Sequence, residues 1–299
     1  LRVTGSRNAP QTLGEWLRYT EQCFRRARLW YGHGTHSARD EAAWLLTHVL
    51  RLPHARLAQS LAHGLTPSQR GALLRLIGRR VRTHRPLAYL LNEAWLGEHH
   101  FYVDERVIVP RSFIAELLRD RLASWVVAPA RVRKVLDMCT GSGCLAVLLA
   151  LAFPHAAIVA ADISRAALEV ARRNVRAYRL GRRIKLIRSD LFAGLPLAQY
   201  DLIVANPPYV DARAMRDLPK EYSFEPKLAL AGGSDGLRLV GQILRGAARF
   251  LRPKGLLIVE IGHNRRALER TFPRTPFTWL ETSAGDRFVF LLSREDLPH

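Results

Sequence analysis

The 299-residue chain predicts an α/β fold: a small helical N-terminal domain, then a mostly parallel, doubly wound sheet with an antiparallel pair at one edge. Three observations carry this. Up to about Leu91, apolar residues recur at the three-to-four spacing of a helix face. Beyond Arg111, short strand-like runs alternate with helical ones, the pattern of βα units. The strand-like runs also end in Gly, Asp or Asn, which sets polar groups at the carboxyl ends of the strands, where such sheets bind ligands.

The helical part reads "TLGEWLRYTEQCFRRARL", "ARDEAAWLLTHVL" and "TPSQRGALLRLIGRRVRTH". Ser37 and Thr66 have the side chains of N-caps, and Pro67 suits a first helical position because its missing N–H would be unpaired there anyway. Residues 94–111 change character. "AWLGEHHFYVDERVIV" is aromatic and β-branched with breaks at "GE" and "DE", and predicts a short hairpin connector. A helix over about 112–125 then leads into "KVLDM", "GCLAVLLALAF", "AIVAAD", "SRAALEVARRNVRAY", "IKLIRSD", "YDLIVAN", "GLRLVGQILRGAARFL" and "GLLIVEIG". The closing "FTWLETSAGDRFVFLL" has two strand-like runs with no helix between them, hence the antiparallel pair. The predicted division is a helical domain over 1–93, a connector over 94–111 and the sheet domain over 112–299.

Composition narrows the function. Hydrophobic residues make up 48% of the chain, which excludes a disordered protein. No apolar run approaches the 18 or so residues of a membrane span, and "LRVTGSRNAP" at the start has no apolar leader segment, so the expected location is the cytoplasm. Cys23, Cys139 and Cys144 are odd in number and lack metal-ligand spacing, and the histidine pairs His33/His36 and His99/His100 have no flanking ligand cluster, so neither a disulfide framework nor a metal site is expected. Lys plus Arg number 46 against 26 acids, a net charge of +20. That excess suits an anionic partner, and it is densest over 165–188.

The chemistry gathers at four strand ends. "LDMCTGSGC" sets Asp137 before Gly141 and Gly143 at the turn into a helix, where backbone approaches a ligand closely and helix N–H groups face it. Asp162 ends the next strand, placed to accept both hydroxyls of a ribose. "SDLF" sets Asp190 at the third end. The fourth reads Asn206-Pro207-Pro208-Tyr209. Two prolines fix two φ angles and remove two donors, so this segment is extended and stiff and presents a carbonyl at a fixed place. An amide and an aromatic ring on such a segment suit a planar, hydrogen-bonding group.

Together "VLDMCTGSGC", "AADIS", "SDLF" and "IVANPPYV" resemble the class I S-adenosylmethionine-dependent methyltransferases, whose fold is Rossmann-like, and the NPPY form resembles those that methylate planar nitrogen. "FYVDERVIVPRSFIAELL" and "EPKLALAGGSDGL" resemble the HemK/PrmB group of protein glutamine methyltransferases. "YGHGTHSARDEA", "LNEAWL" and the Ser112-Phe113 that follows Arg111 are similar to its branch acting on large-subunit ribosomal protein number three. The resemblance runs from about Thr12 to Leu297. It implies S-adenosylmethionine as cofactor, held by Asp137, Thr140, Gly141, Ser142, Gly143, Asp162, Ile163, Ser189, Asp190, Leu191 and Asn206, with Phe101 and Arg111 closing the pocket from the connector. It implies further that Asn206, Pro207, Pro208 and Tyr209 hold a glutamine amide, the Asn206 side-chain oxygen and Pro207 carbonyl accepting its two N–H groups while Tyr209 lies against its plane. Cys139 stands where many methyltransferases have glycine, a position that tolerates a small side chain.

The implied partner is a large-subunit ribosomal protein or its rRNA-containing assembly intermediate, with rRNA contacted through the basic face. Two other classes stay open at this stage. A methyltransferase acting on an exocyclic base amine of RNA or DNA would present the same planar NH₂ to NPPY. A non-catalytic assembly factor could use the basic surface alone, although it would have no need of NPPY.

Overall fold

A computed structural model describes residues 10–126 and 128–298. The reading of the N-terminus as lacking an apolar leader rests on residues 1–9, outside this range. The chain forms two compact units, one of residues up to Glu93 together with Pro219–Phe224, the other of Ala94–Leu218 and Glu225 onward.

The first unit packs α1 (Leu13–Arg26), α2 (Ala38–Leu50), α3 (Pro67–Thr83) and α4 (Leu87–Leu91). Local chemistry sets the helix starts. Thr12 and Glu15 form a reciprocal capping box on α1, Ser37 accepts from the Asp40 N–H on α2, and Thr66 with Gln69 caps α3, whose first residue is Pro67. The apolar faces bury Leu13, Trp16, Phe24, Leu45, Leu46, Leu73 and Ile77. This core also takes in a 3₁₀ turn from far along the chain, Lys220–Phe224. Glu221 there is 2% exposed. Its Oε1 accepts from the Trp30 N–H at 2.9 Å and lies 3.1 Å from His84 Nδ1 and 3.4 Å from the Arg80 guanidinium. Arg80, itself buried, also donates to Glu41 at 2.6 Å. Burial opposes ionisation of Glu221, but the Trp30 N–H and the Arg80 charge outweigh it and hold the carboxyl below its ordinary value.

The second unit opens with the hairpin β1 (Ala94–Leu96) and β2 (His99–Phe101), antiparallel with Leu96 opposite His99, so that Gly97 and Glu98 make its turn. The "DE" break is a separate turn, closed by the Val107 N–H on the Asp104 carbonyl. α5 covers only Ile114–Arg119, shorter than the expected 112–125. It stops because Arg121 and Leu122 enter the left-handed region, at φ 54° and 55°, their N–H groups closing on Leu118 and Leu117 carbonyls, which turns Leu122 into the core.

Next come β3 (Lys134–Met138), α6 (Cys144–Ala152), β4 (Ala157–Asp162), α7 (Arg165–Ala177), β5 (Ile184–Arg188), β6 (Tyr200–Ala205), β7 (Val210–Asp211), α8 (Ala214–Asp217), α9 (Lys227–Leu230), β8 (Ala231–Gly233), α10 (Arg238–Ala247), β9 (Leu251–Glu260), α11 (Arg265–Thr271), β10 (Thr278–Thr282) and β11 (Gly285–Ser293). The main sheet has the order β10-β11-β9-β6-β3-β4-β5. β3, β4, β5, β6 and β9 are parallel, and β11 runs antiparallel to both β9 and β10, which is the predicted antiparallel edge. The chain winds from β3 outward to β5 and then returns to lay β6 on the other side of β3. That reversal puts the end of β3 (Met138) in register with the end of β6 (Ala205), a crevice of the kind where such sheets bind ligands. No helix among the described residues is long and apolar enough to cross a membrane.

In the first unit, Arg80→Ala would leave Glu41 and Glu221 buried without their shared cation. We expect a loss of about 3–5 kcal/mol, the usual cost of removing one partner from a buried pair. A urea titration reads this directly, and an unchanged midpoint would contradict the role given to Arg80.

Candidate active site

A cavity of 270 Å³ opens over the carboxyl ends of β3, β4, β5 and β6. Of the predicted residues, Gly141, Asp162, Ile163, Ser189, Asp190, Leu191, Asn206 and Pro208 line it. Gly141 has φ +55°, and a Cβ placed there would meet nothing within 4 Å, so the backbone is bare toward a ligand. Its N–H donates to Asp162 Oδ2 at 2.9 Å, while Asp162 Oδ1 accepts from the Ser164 N–H at 2.8 Å. The glycine loop and the second strand end are thereby locked together.

Asp137, Thr140, Ser142 and Gly143 lie behind this surface and shape it. The Thr140 hydroxyl donates to Asp137, whose other oxygen, Oδ1, is buried. Burial, with the Asp162 charge nearby, pushes the Asp137 carboxyl up to about 7. The Ser142 carbonyl accepts from buried Asn174, which also exchanges two hydrogen bonds with the Tyr102 backbone. Gly143, at φ +77°, has room for no side chain, since a Cβ would come 3.0 Å from that of Ala171. Cys139 is left-handed at φ 59° and lines the cavity. Burial, then the Asp162 and Asp137 charges, hold its thiol well above the ordinary value, so it is not a thiolate nucleophile.

The two connector residues differ from expectation. Phe101 does not line the cavity. It is fully buried in the core under β2, its ring stacked on Tyr178 with centroids 5.4 Å apart. Arg111 does not line it either. Its guanidinium forms two 2.7 Å bonds to Glu225, a buried carboxylate that also accepts from the Val109 N–H. The connector reaches the cavity through Arg106, Val107 and Ile108 instead, with Arg106 held by Asp104 and Glu169. Further lining comes from Pro226, Leu228, Ala229, Arg238 and Leu239. Sequence reasoning missed these because they follow no strand end.

Asn206 is the polar centre of the crevice. Its Nδ2 donates to the Arg111 carbonyl at 3.5 Å, which leaves Oδ1 as the acceptor. Tyr209 is held on several sides. Its hydroxyl donates to Glu260 Oε1 at 3.4 Å, and its carbonyl accepts from Asn264 Nδ2 at 2.8 Å. Gly262, at φ +56°, lies under the ring, where a Cβ would come 2.6 Å from Tyr209 Cε2. Gly232 packs on the Tyr209 Cα in the same way. Glu260 and Gly262 were also missed, although a lone acid ending the apolar run "GLLIVEIG" was the available signal.

Two family descriptions match the chain: a Methyltransferase small domain over residues 116–221 and a PrmC N-terminal domain over 15–91. The ribosomal protein uL3 glutamine methyltransferase of Neisseria meningitidis serogroup A is 54% identical over 286 residues, covering 96% of this chain and 94% of the relative. That of Bordetella pertussis is 50% identical over 292 residues, covering 98% of each. Among solved structures, the hMettl16 catalytic domain in complex with MAT2A 3'UTR hairpin 6 is similar in fold, with 15% identity, a TM-score of 0.50, and coverage of 74% of this chain and 79% of that one.

The tight seat of Tyr209 predicts that Gly262→Ala destabilises the protein by about 1–3 kcal/mol, as overpacking does. A shift in the chemical-denaturation midpoint checks this. An unshifted midpoint would mean the ring yields freely and is not fixed by the glycine.

Proposed function

The chain belongs to the family of ribosomal protein uL3 glutamine methyltransferases, and from that premise we propose that it methylates the side-chain amide nitrogen of a glutamine in ribosomal protein uL3, with S-adenosylmethionine as donor. The observation that carries this reading is Asn206: its amide nitrogen donates to the Arg111 carbonyl, which leaves the amide oxygen as an acceptor beside the stiff prolines. An acceptor pair is what a substrate NH₂ group requires.

The cavity fits the cofactor. Asp162 and Asp190 line it beside the glycine loop and the buried carboxyl of Asp137 lies behind, a setting that favours a cationic ligand such as a sulfonium bearing an ammonium group. Gly141 would receive the methionine portion, Asp162 the ribose hydroxyls, and Asp190, Ile163 and Leu191 the adenine. When bound, the cofactor supplies an electrophilic methyl on a positively charged sulfur.

The protein's own task is to orient a poor nucleophile. A carboxamide nitrogen shares its lone pair with the carbonyl. The Asn206 Oδ1 and the Pro207 carbonyl accept the two N–H groups, so the lone pair is aimed rather than left to rotate, and both acceptors stabilise the positive charge that develops as the bond forms. Tyr209 covers the amide plane and keeps water out. The helical unit takes the part of substrate recognition in this proposal, and the cytoplasm is its place of action.

A finer proposal concerns the partner. The uL3 substrate is met on an rRNA-containing assembly intermediate, and α7 with the turn after it contacts phosphates. Arg172, Arg176, Arg179 and Arg182 are exposed there. Two neighbours are excluded from this role by their contacts. Arg183 donates to the carbonyls of Ala150, Phe153 and Ala156 and closes the end of α6, and Arg173 lies over the Tyr102 ring at 3.5 Å.

Labelled S-adenosylmethionine offered with purified ribosomal proteins, rRNA and assembly intermediates tests the substrate; transfer to rRNA alone would overturn the protein-glutamine reading. Asn206→Ala is expected to raise the barrier to turnover by about 2–4 kcal/mol with cofactor affinity nearly intact, whereas Asp162→Ala weakens the cofactor dissociation constant. Calorimetry beside single-turnover rates separates the two, and near wild-type turnover by Asn206→Ala would remove it from the site. Charge reversal at Arg172, Arg176, Arg179 and Arg182 is expected to weaken binding to the intermediate and flatten its salt dependence while sparing methylation of a short glutamine peptide. Unchanged binding would make this face a merely solvated one.

A further inference from the structure

Glu260 ends β9, and its side chain faces the NPPY segment and the connector at once. It is 1% exposed. Three donors converge on it. The Ser112 hydroxyl and the Phe113 N–H reach Oε2 at 2.7 and 2.9 Å, and the Tyr209 hydroxyl reaches Oε1 at 3.4 Å. The register explains the meeting: Ala205, the last residue of β6, lies opposite Val259, so Glu260 stands beside the first step of the NPPY turn. On its other side its register partner in β11 is the apolar Val289.

A buried carboxylate is costly unless its oxygens are used. The segments around Glu260 bring Ser112, Tyr209 and the backbone N–H groups of Phe113 and Ile114, all neutral, and no charged side chain among the described residues offsets it. A structural acid in such a place is more cheaply replaced by an apolar or amide side chain. What glutamate alone offers is acceptance on every side: an amide in the same place must turn an NH₂ toward a donor.

We propose that Glu260 is a positioning residue for methyl transfer, acting through the Tyr209 hydroxyl to hold the ring against the substrate amide while it fixes the Ser112-Phe113 end of the connector. This rests on the methyltransferase reading above. Burial pushes the Glu260 carboxyl up to about 7, with the bonds from Ser112, Phe113 and Tyr209 opposing it. The ionised form is the one that accepts all three donors, so the sign of the dependence is fixed: turnover rises as pH climbs through about 7 and levels off above it.

Single-turnover methylation of uL3 and cofactor calorimetry, each across pH 6–9 (roughly two units above the Glu260 midpoint and one below), test this with Glu260→Gln, Tyr209→Phe and the double variant. Glu260→Gln is expected to lower the rate about 10- to 100-fold, to lose the inflection near pH 7, and to bind cofactor within about threefold of wild type. Tyr209→Phe keeps the ring and removes only the hydroxyl, so it should lose rate and inflection likewise, and the double variant should be little worse than either single one. Should Glu260→Gln fail to bind cofactor or to fold, Tyr209→Phe decides alone: a wild-type rate and pH profile overturns the proposal. Additive losses in the double variant also overturn it, because Glu260 would then act elsewhere. If the wild-type protein binds cofactor but transfers nothing to uL3, the functional reading fails first, an outcome distinct from an active wild type whose variants match it.

Discussion

The paired bonds between Arg111 and Glu225 are the interaction on which the site depends. Glu225 is buried, so without a cation its charge would be strongly disfavoured there. Neutralising it pins residues 109–111 against the segment that enters α9, and this in turn holds the Arg111 carbonyl where Asn206 Nδ2 can use it. The orientation of the Asn206 side chain therefore follows from an ion pair that does not itself line the cavity. Lysine in place of Arg111 would keep the charge but not the planar two-point grip.

Charge is sorted sharply within the sheet unit. β4 and β9 end in the acids Asp162 and Glu260, and basic residues crowd the outer face of α7. Asp162 and Asp190 lie at the cavity floor with Arg106 and Arg238 on its walls, while the exterior of α7 is rich in arginine, a face that suits a polyanion. The same overall excess of arginine thus coexists with carboxylates at the cavity, because the effect of the buried Asp137 is local, while the arginines stand in solvent and act together over a longer range.

What the sequence made legible was what local chemistry decides. Ser37 and Thr66 cap helices through bonds three residues long, and strand ends follow from alternation, so the cavity-lining residues Gly141, Asp162, Asp190 and Asn206 could be named in advance. Phe101 and Arg111 were misplaced because the side a connector residue faces depends on contacts with Tyr178 and Glu225, remote in the chain. The seat of Tyr209 was illegible for the same reason. Gly232, Gly262, Glu260 and Asn264 acquire meaning only once β9 has been laid beside β6. The cut-off of α5 was likewise a tertiary decision, taken to bury Leu122.

The 3₁₀ turn at Lys220–Phe224 belongs to the helical unit although it is encoded after β6. During synthesis the four helices emerge first, with Arg80 and Glu41 among them, and Glu221 can join Arg80 only after β3, β4, β5 and β6 have been made. The N-terminal unit is thus encoded in two pieces, and its interior is complete only once residue 224 has been made. A gene fragment ending at Glu93 encodes all of its helices but not its whole interior, so the boundary visible in the polypeptide is not a boundary along which the protein can be cut and shuffled as a cassette.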